Sequence, residues 1–206
     1  MVDEQKILKK LYKYFWLSET PTVDPQTGQV SVMGDVFMER QSPRIPVQFH
    51  HVSGKFHCQD MGLTSLVGSP RIVDHDFQCQ KNQLTSLKGA PDHVGKDFWC
   101  HENKLTNLVH MPSHVGGDFW CIRNPLISLD GWDSPMGGEF FCEYYPNLPL
   151  LRTIQAQKVD ISFIYQRRPP AEVQKILNKY AGKGKTHMLN CALELKKAGY
   201  EGNARW

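Results

Sequence analysis

The chain has 206 residues, of which 40% are hydrophobic and 22% are charged, values that are ordinary for a folded globular protein. Its formal net charge of +3 is too small to indicate a class of partner. No apolar run approaches the roughly 18 residues of a membrane-spanning helix. The lysine-rich amino terminus has no continuous apolar segment with a cleavage site, which argues against a secretory signal.

Residues 4–18 are predicted to form an amphipathic helix. Ile7, Leu11 and Phe15 follow its apolar stripe, and its lysines lie largely elsewhere. A basic amphipathic helix can bind a membrane or a partner groove. Because exposed terminal repeats need caps, the favoured interpretation is that this helix covers the amino-terminal end of the repeats that follow.

From about Gly54 to Arg152 the sequence repeats itself every 21 residues. Each unit carries a Phe, a Cys two residues later, two Leu and, in three units, an Asn. The rows are Phe56, Phe77, Phe98, Phe119 and Phe140; Cys58, Cys79, Cys100, Cys121 and Cys142; Leu63, Leu84, Leu105 and Leu126; Leu66, Leu87, Leu108, Leu129 and Leu150; and Asn82, Asn103 and Asn124. A fixed short period indicates units that bury their apolar sides by stacking on their neighbours, so the predicted fold is a solenoid.

The Phe and Cys of each unit point to one face of a short strand, because side chains alternate along a strand. Successive units stack these strands in parallel, about 4.8 Å apart. The Asn of each unit lies where the chain must turn, and its amide can pair with the backbone of a buried corner. We therefore expect a curved parallel sheet with one strand per repeat, covered by helix at both ends.

The segment Phe98-x-Cys100-x-x-Asn103-x-Leu105 resembles the core of the leucine-rich repeat, with Phe and Cys in two positions that Leu usually holds. The unit from Leu84 to Pro91 is similar to repeats of bacterial effectors and phage-encoded proteins. The resemblance covers roughly half of the chain and implies an α+β fold, a leucine-rich-repeat solenoid with a curved parallel β-sheet. It implies no particular activity, because this family is defined by its scaffold.

Beyond Leu150 the period stops. Val159, Ile161 and Phe163 alternate as in one last strand. Two helices are expected to form a hairpin against the end of the solenoid, the second capped by Thr186. The predicted organisation is an amino-terminal helix and cap over residues 1–33, the solenoid over 34–152, and a carboxyl-terminal strand with helices over 171–180 and 186–198 as a cap over 153–206.

The cysteine column could suggest disulfides or a soft-metal site. A zinc site usually needs four convergent ligands, whereas these thiols form a line packed among Phe and Leu. We therefore predict free, buried thiols, no metal, no cofactor and a reducing compartment.

An acidic row, formed by Asp76, Asp97, Asp118 and Glu139, stands just before the strands. Like charges stacked at strand spacing repel, so the row must be solvated, bonded to turn amides or bridged by a cation. A solvated edge is the favoured interpretation.

Between the inward Phe and Cys of each strand stands one residue that must point out of the sheet. In three consecutive units it is Trp99, Trp120 and Phe141. Large exposed aromatic residues are typical of binding hot spots, and indole N–H donors at the edge of the patch would suit a protein interface. The alternatives are that a cap or loop covers the rings, or that they only stiffen the sheet. The predicted partner-binding residues are Trp99, Trp120, Phe141, His101, Ile122, Glu143 and Tyr144.

The expected function is non-enzymatic, since no Ser or Cys nucleophile stands in a motif beside a base. We expect a cytoplasmic protein–protein interaction module that does not bind membranes. Resemblance to short phage-encoded repeat proteins implies an inhibitor of a host protein, such as a defence factor, in the host cytoplasm. The alternative is nucleic-acid binding through the carboxyl-terminal helices, because residues 152–206 hold eleven Lys or Arg against four Asp or Glu. A third class is an enzyme with its activity in those helices.

Overall fold

Each regular 21-residue repeat folds into one turn with two short strands, one for each of two sheets. In the repeat that contains Trp99, the strands are His93–Val94 and Phe98–Trp99. About six turns stack into a β-solenoid with parallel sheets, in a computed structural model that describes residues 2–160 and 170–205. The expectation of one strand per repeat is wrong, whereas the solenoid and its parallel stacking are confirmed.

The helices and strands are α1 (Glu4–Tyr14), β1 (Phe15–Leu17), β2 (Pro21–Val23), β3 (Val30–Val32), β4 (Val36–Met38), β5 (Phe49–Val52), β6 (Phe56–His57), β7 (Ile72–Val73), β8 (Phe77–Gln78), β9 (His93–Val94), β10 (Phe98–Trp99), β11 (His114–Val115), β12 (Phe119–Trp120), β13 (Glu139–Phe141), β14 (Lys158–Asp160), α2 (Ala171–Tyr180) and α3 (Met188–Lys197). Short 3-10 helices cover Leu151–Gln155 and Lys185–His187. Sheet A has the strand order β1-β4-β6-β8-β10-β12-β13-β14, and sheet B has the order β11-β9-β7-β5-β3-β2. Neighbouring strands are parallel except for β1 with β4 and β2 with β3.

The core is built from the repeated rows. Phe77 pairs in register with Phe98, and Phe98 with Phe119. The centroids of these rings lie 5.3 and 5.1 Å apart, with nearly parallel planes. The cysteine column runs beside the rings. Its members Cys58, Cys79, Cys100 and Cys121 are free and buried, as predicted, and Cys142 and Cys191 are buried as well. Burial raises the pKa of the Cys58 thiol well above its ordinary range.

The asparagines form a ladder at one corner of the solenoid. The Asn103 Oδ1 accepts from the Leu84 amide at 3.0 Å, and its Nδ2 donates to the carbonyls of Cys79 and Cys100 at 3.1 and 3.0 Å. The ladder thus joins adjacent turns through buried backbone groups, which have no access to water. The residue before each of these asparagines adopts a left-handed conformation with φ of 55–57°; these residues are Lys81, Glu102 and Arg123. Asp60, which stands 21 residues before Lys81, adopts the same conformation.

The acidic row pairs with backbone amides. The Asp97 Oδ1 accepts from the Asp118 amide at 2.8 Å, and the Asp118 Oδ1 accepts from the Glu139 amide at 2.8 Å. The three aspartates therefore cap the bend of the next turn, and Glu139 pairs with Lys158, an arrangement that replaces the favoured solvated edge. Within the described ranges, no group of three or more His, Cys, Asp or Glu residues is placed to hold a metal ion.

Sheet B ends at β11, although sheet A continues for two more strands. The His93 amide donates to the Arg71 carbonyl, and the His114 amide donates to the Asp92 carbonyl. Pro135 stands 21 residues after His114 and has no N–H with which to continue this series. At the other end of sheet B, Pro21 lies on the terminal strand β2.

At the amino terminus, α1 ends at Tyr14, so the predicted helix over 4–18 is too long. Phe15 belongs to β1 and pairs with Met38 of β4. Strand β1 lies at the end of sheet A and is antiparallel to β4. The Asp3 carboxylate caps α1 by accepting from the Lys6 amide at 3.0 Å, and Leu11 is fully buried.

At the carboxyl terminus, Val159 lies in β14 as expected, whereas Ile161 and Phe163 lie outside the described residues. Helix α2 matches its predicted bounds. Helix α3 begins at Met188, after a 3-10 turn, and Thr186 gives it no side-chain cap. None of the described helices combines the length and apolar character needed to cross a membrane.

Candidate protein-binding face

The outer face of sheet A carries a row of rings, one from each strand except β8 and the terminal β14. Backbone register places the row in the order Trp16, Phe37, His57, Gln78, Trp99, Trp120 and Phe141. We call this set the aromatic row. The sequence predicted its last three rings as binding residues. It did not predict that Trp16 and Phe37 continue the row at the amino-terminal end, because the spacing of Phe37 to His57 departs from the 21-residue period.

The rings of the aromatic row lie against one another. Trp120 and Phe141 are stacked, with centroids 3.7 Å apart and planes at 10°, and Trp99 is tilted by 39° against Trp120 at 5.7 Å. Phe37 and His57 are stacked at 4.2 Å. In the two stacked pairs each ring covers one face of its neighbour, whereas Trp99 lies against Trp120 at an angle.

The indole nitrogens are hidden. The Nε1 atoms of Trp99 and Trp120 are inaccessible to solvent, and neither has an acceptor among the described residues. The expectation that these N–H groups are presented at the edge of the patch is therefore wrong. Both side chains are partly exposed through their carbon atoms, so the row offers an apolar surface.

The four other predicted binding residues differ in how free their side chains are to contact a partner. His101 is half-buried, with its ring centroid 6.0 Å from that of Trp99, and Ile122 is only 7% exposed. Glu143 accepts a hydrogen bond from the Tyr145 hydroxyl at 2.8 Å. The Tyr144 hydroxyl donates to the Asn203 side chain at 3.1 Å, so Tyr144 is tied to the carboxyl-terminal segment.

The aromatic row carries little charge at neutral pH. Desolvation by burial lowers the pKa of His57, and nearby Lys55 lowers it further. Desolvation likewise lowers the pKa of His101. At the border of the row, Glu102 and Arg123 form an ion pair at 2.8 Å. The face is thus a neutral apolar strip with a paired polar border.

The carboxyl-terminal cations, which the alternative function invokes, are partly neutralised. Arg152 pairs with Asp133 at 2.7 Å, Lys158 pairs with Glu139 at 2.8 Å, and Lys179 pairs with Glu194 on the neighbouring helix. Because Asp133 and Glu139 lie outside residues 152–206, the net charge of that segment overstates the positive charge that it offers to a nucleic acid.

Comparisons with protein-family models, with curated proteins and with solved structures find no match to this chain. The leucine-rich-repeat resemblance accordingly stays a prediction, and the function must be argued from the site.

Proposed function

We propose that the chain is a non-enzymatic protein-interaction module that binds a partner protein through three rings at one end of the aromatic row, Trp99, Trp120 and Phe141, as its binding centre. The supporting observation is that these rings contact one another on the outer face of sheet A, with Trp120 stacked on Phe141 and Trp99 tilted against Trp120. Partly exposed aromatic residues held by their neighbours lose little conformational freedom on binding, and they are frequent hot spots of protein interfaces.

The ring geometry favours a protein over ligands that bind by stacking. Nucleobases stack on exposed aromatic faces. One face of Trp120 is covered by Phe141 at 3.7 Å, and Trp99 is tilted against Trp120 at 5.7 Å. With the indole nitrogens hidden, the exposed part of the rings is apolar, which suits apolar side chains of a partner protein.

The finer proposal is that the partner is a host protein and that the chain is a phage-encoded inhibitor of it, acting on a factor such as a defence protein in the host cytoplasm. Its support is the similarity of the unit from Leu84 to Pro91 to the short repeats of phage-encoded proteins. A sheet with an open outer face also supports it, because solenoid surfaces are commonly used to engage other proteins.

The test begins with recovery of partners by affinity capture from host lysate and measurement of their affinity for purified variants. Trp120→Ala removes ring contacts with Trp99 and Phe141. At about 0.5–1.5 kcal/mol per aromatic pair, unfolding should become easier by about 1–3 kcal/mol while the protein stays folded. Binding should weaken by about 2 kcal/mol or more, roughly thirtyfold.

Phe37→Ala is the matched control, because it removes a comparable stack with His57 at the far end of the aromatic row. We expect it to lose stability and to keep most of its affinity. The proposal fails if folded Trp99→Ala and Trp120→Ala variants bind the recovered partner as tightly as the native chain. Equal weakening by Phe37→Ala would show that affinity follows stability and not the proposed centre.

A further inference from the structure

Helix α1 presents four lysines in a single stripe. Lys6, Lys9, Lys10 and Lys13 stand at positions i, i+3, i+4 and i+7, which lie on one side of a helix. All four are exposed, whereas Leu11 on the opposite side is fully buried in the solenoid core. We call these four residues the lysine stripe.

The lysine stripe takes part in no ion pair among the described residues, although the Lys13 ammonium lies 5.4 Å from the centroid of the Tyr14 ring. The ion pairs found in the described part of the chain all involve other residues. Lys6 neighbours both Lys9 and Lys10 on the helix surface, and Lys13 neighbours the same two. Like charges at these spacings destabilise a helix, so the stripe weakens α1 unless an anion lies against it.

The chemistry of the stripe favours phosphate groups as its ligand. An ammonium group on a flexible stem is a hydrated point charge that binds phosphate, whereas planar recognition of carboxylates is the property of arginine. The stripe is about 10.5 Å long, since a helix rises about 1.5 Å per residue. Duplex DNA presents one phosphate charge per roughly 1.7 Å of its axis, enough to meet all four ammonium groups.

A membrane surface fits less well. Amphipathic helices bind membranes by inserting their apolar face. The apolar face of α1 is already used, because Leu11 belongs to the core and Ile7 and Leu8 pack against it. Tyr12, at 57% exposure, is the one large exposed apolar side chain on α1.

We propose that the lysine stripe is a second binding site, which takes the phosphodiester backbone of a nucleic acid without sequence selectivity. It differs in place from the carboxyl-terminal helices, where the sequence had put nucleic-acid binding. It is also separate from Trp120 in the proposed binding centre, because β1, which follows α1, and β12 lie at positions one and six of sheet A. Five strand spacings of about 4.8 Å separate them.

The test measures binding of the full chain to a fluorescein-labelled 20-base-pair duplex of arbitrary sequence by fluorescence anisotropy, between 50 and 200 mM NaCl. Four phosphate contacts predict a slope of about −3.6 for log affinity against log salt, and thus roughly a 150-fold loss over this range. Each single Lys→Gln substitution in the stripe should reduce the size of the slope by about 0.9. Glutamine has a helix propensity close to that of lysine, so α1 should persist.

The decisive pair is two quadruple Lys→Gln variants with the same charge change. One replaces Lys6, Lys9, Lys10 and Lys13, and the other replaces the exposed Lys175, Lys185, Lys196 and Lys197 of the carboxyl-terminal region. The first should lose duplex binding while retaining native helix content by circular dichroism and an unchanged or higher melting temperature. The second should bind nearly as the native chain does.

Three results would overturn the proposal. The stripe variant binds the duplex with unchanged affinity and slope, the carboxyl-terminal variant loses binding as fully as the stripe variant does, or the native chain binds phosphatidylserine vesicles and not the duplex.

Discussion

Replacing any one of the ladder asparagines, Asn82, Asn103 or Asn124, by alanine should destabilise the solenoid. The loss depends on how many backbone groups are left without a hydrogen-bond partner. In Asn103→Ala, the carbonyls of Cys79 and Cys100 keep donors from the neighbouring asparagines at 3.0 Å. Only the Leu84 amide is left without an acceptor. At about 1–3 kcal/mol for the unpaired Leu84 amide and about 0.5–1.5 kcal/mol for each of the two lost Nδ2 bonds, the cost is about 2–6 kcal/mol.

The other two asparagines should cost more, because they lie at the ends of the ladder. Asn82→Ala leaves the amides of Met61 and Leu63 and the carbonyl of Cys58 without the partners found among the described residues. Two additional unpaired groups raise the cost by about 2 kcal/mol or more above that of Asn103→Ala. Asn124→Ala leaves one amide and the Cys121 carbonyl, so it should fall between the two.

Urea unfolding of the three variants checks this order, with the native chain as reference. The volume removed is the same each time, so differences among the three report hydrogen bonds and not the cavity. Equal costs, or Asn103→Ala as the most destabilising of the three, would refute the reasoning.

Three further predictions concern other parts of the structure. His110 has φ of 69° at a repeat position where the neighbouring turns have glycine, so His110→Gly should stabilise the chain by about 1 kcal/mol in urea unfolding, and a loss of stability would contradict this. The cysteines should react with a thiol reagent slowly in the native protein and completely in denaturant, because all are buried; fast native labelling would show the column to be accessible. The folded pKa values of His57 and His101 lie below the ordinary 6.5, so the unfolded chain binds more protons as pH falls, and stability should decline below about pH 6.5. A His57→Gln/His101→Gln double variant should show a smaller decline, and an unchanged decline would place its cause elsewhere.

The sequence was most informative where side chains alternate. Phe98 and Cys100 required an inward face, and this alone placed Trp99 on the outside and set the parallel register. The second strand of each turn could not be predicted in the same way. A two-residue strand such as His93–Val94 has a single inward side chain, which leaves no alternation to detect.

Other misses have equally local causes. Phe15 continues the apolar stripe of α1, so its position in the sequence does not distinguish a further helical residue from the first residue of a strand. The left-handed residues Lys81 and Glu102 carry no glycine or asparagine signal. At the candidate site, register fixes only the side of the sheet on which Trp120 lies. Its stacking on Phe141 and the burial of its Nε1 depend on rotamers, which the repeat pattern does not specify.

The prolines at the two ends of sheet B also bear on the colloidal behaviour of the protein. A stack of identical short strands is a template on which another copy could add its own strands, as in the growth of a fibril. Pro135 interrupts that template where β11 would otherwise continue, and Pro21 lies in the strand at the opposite end. Each end of sheet B is thereby marked by a proline, and a concentrated solution of the chain should resist open-ended polymerisation through sheet B.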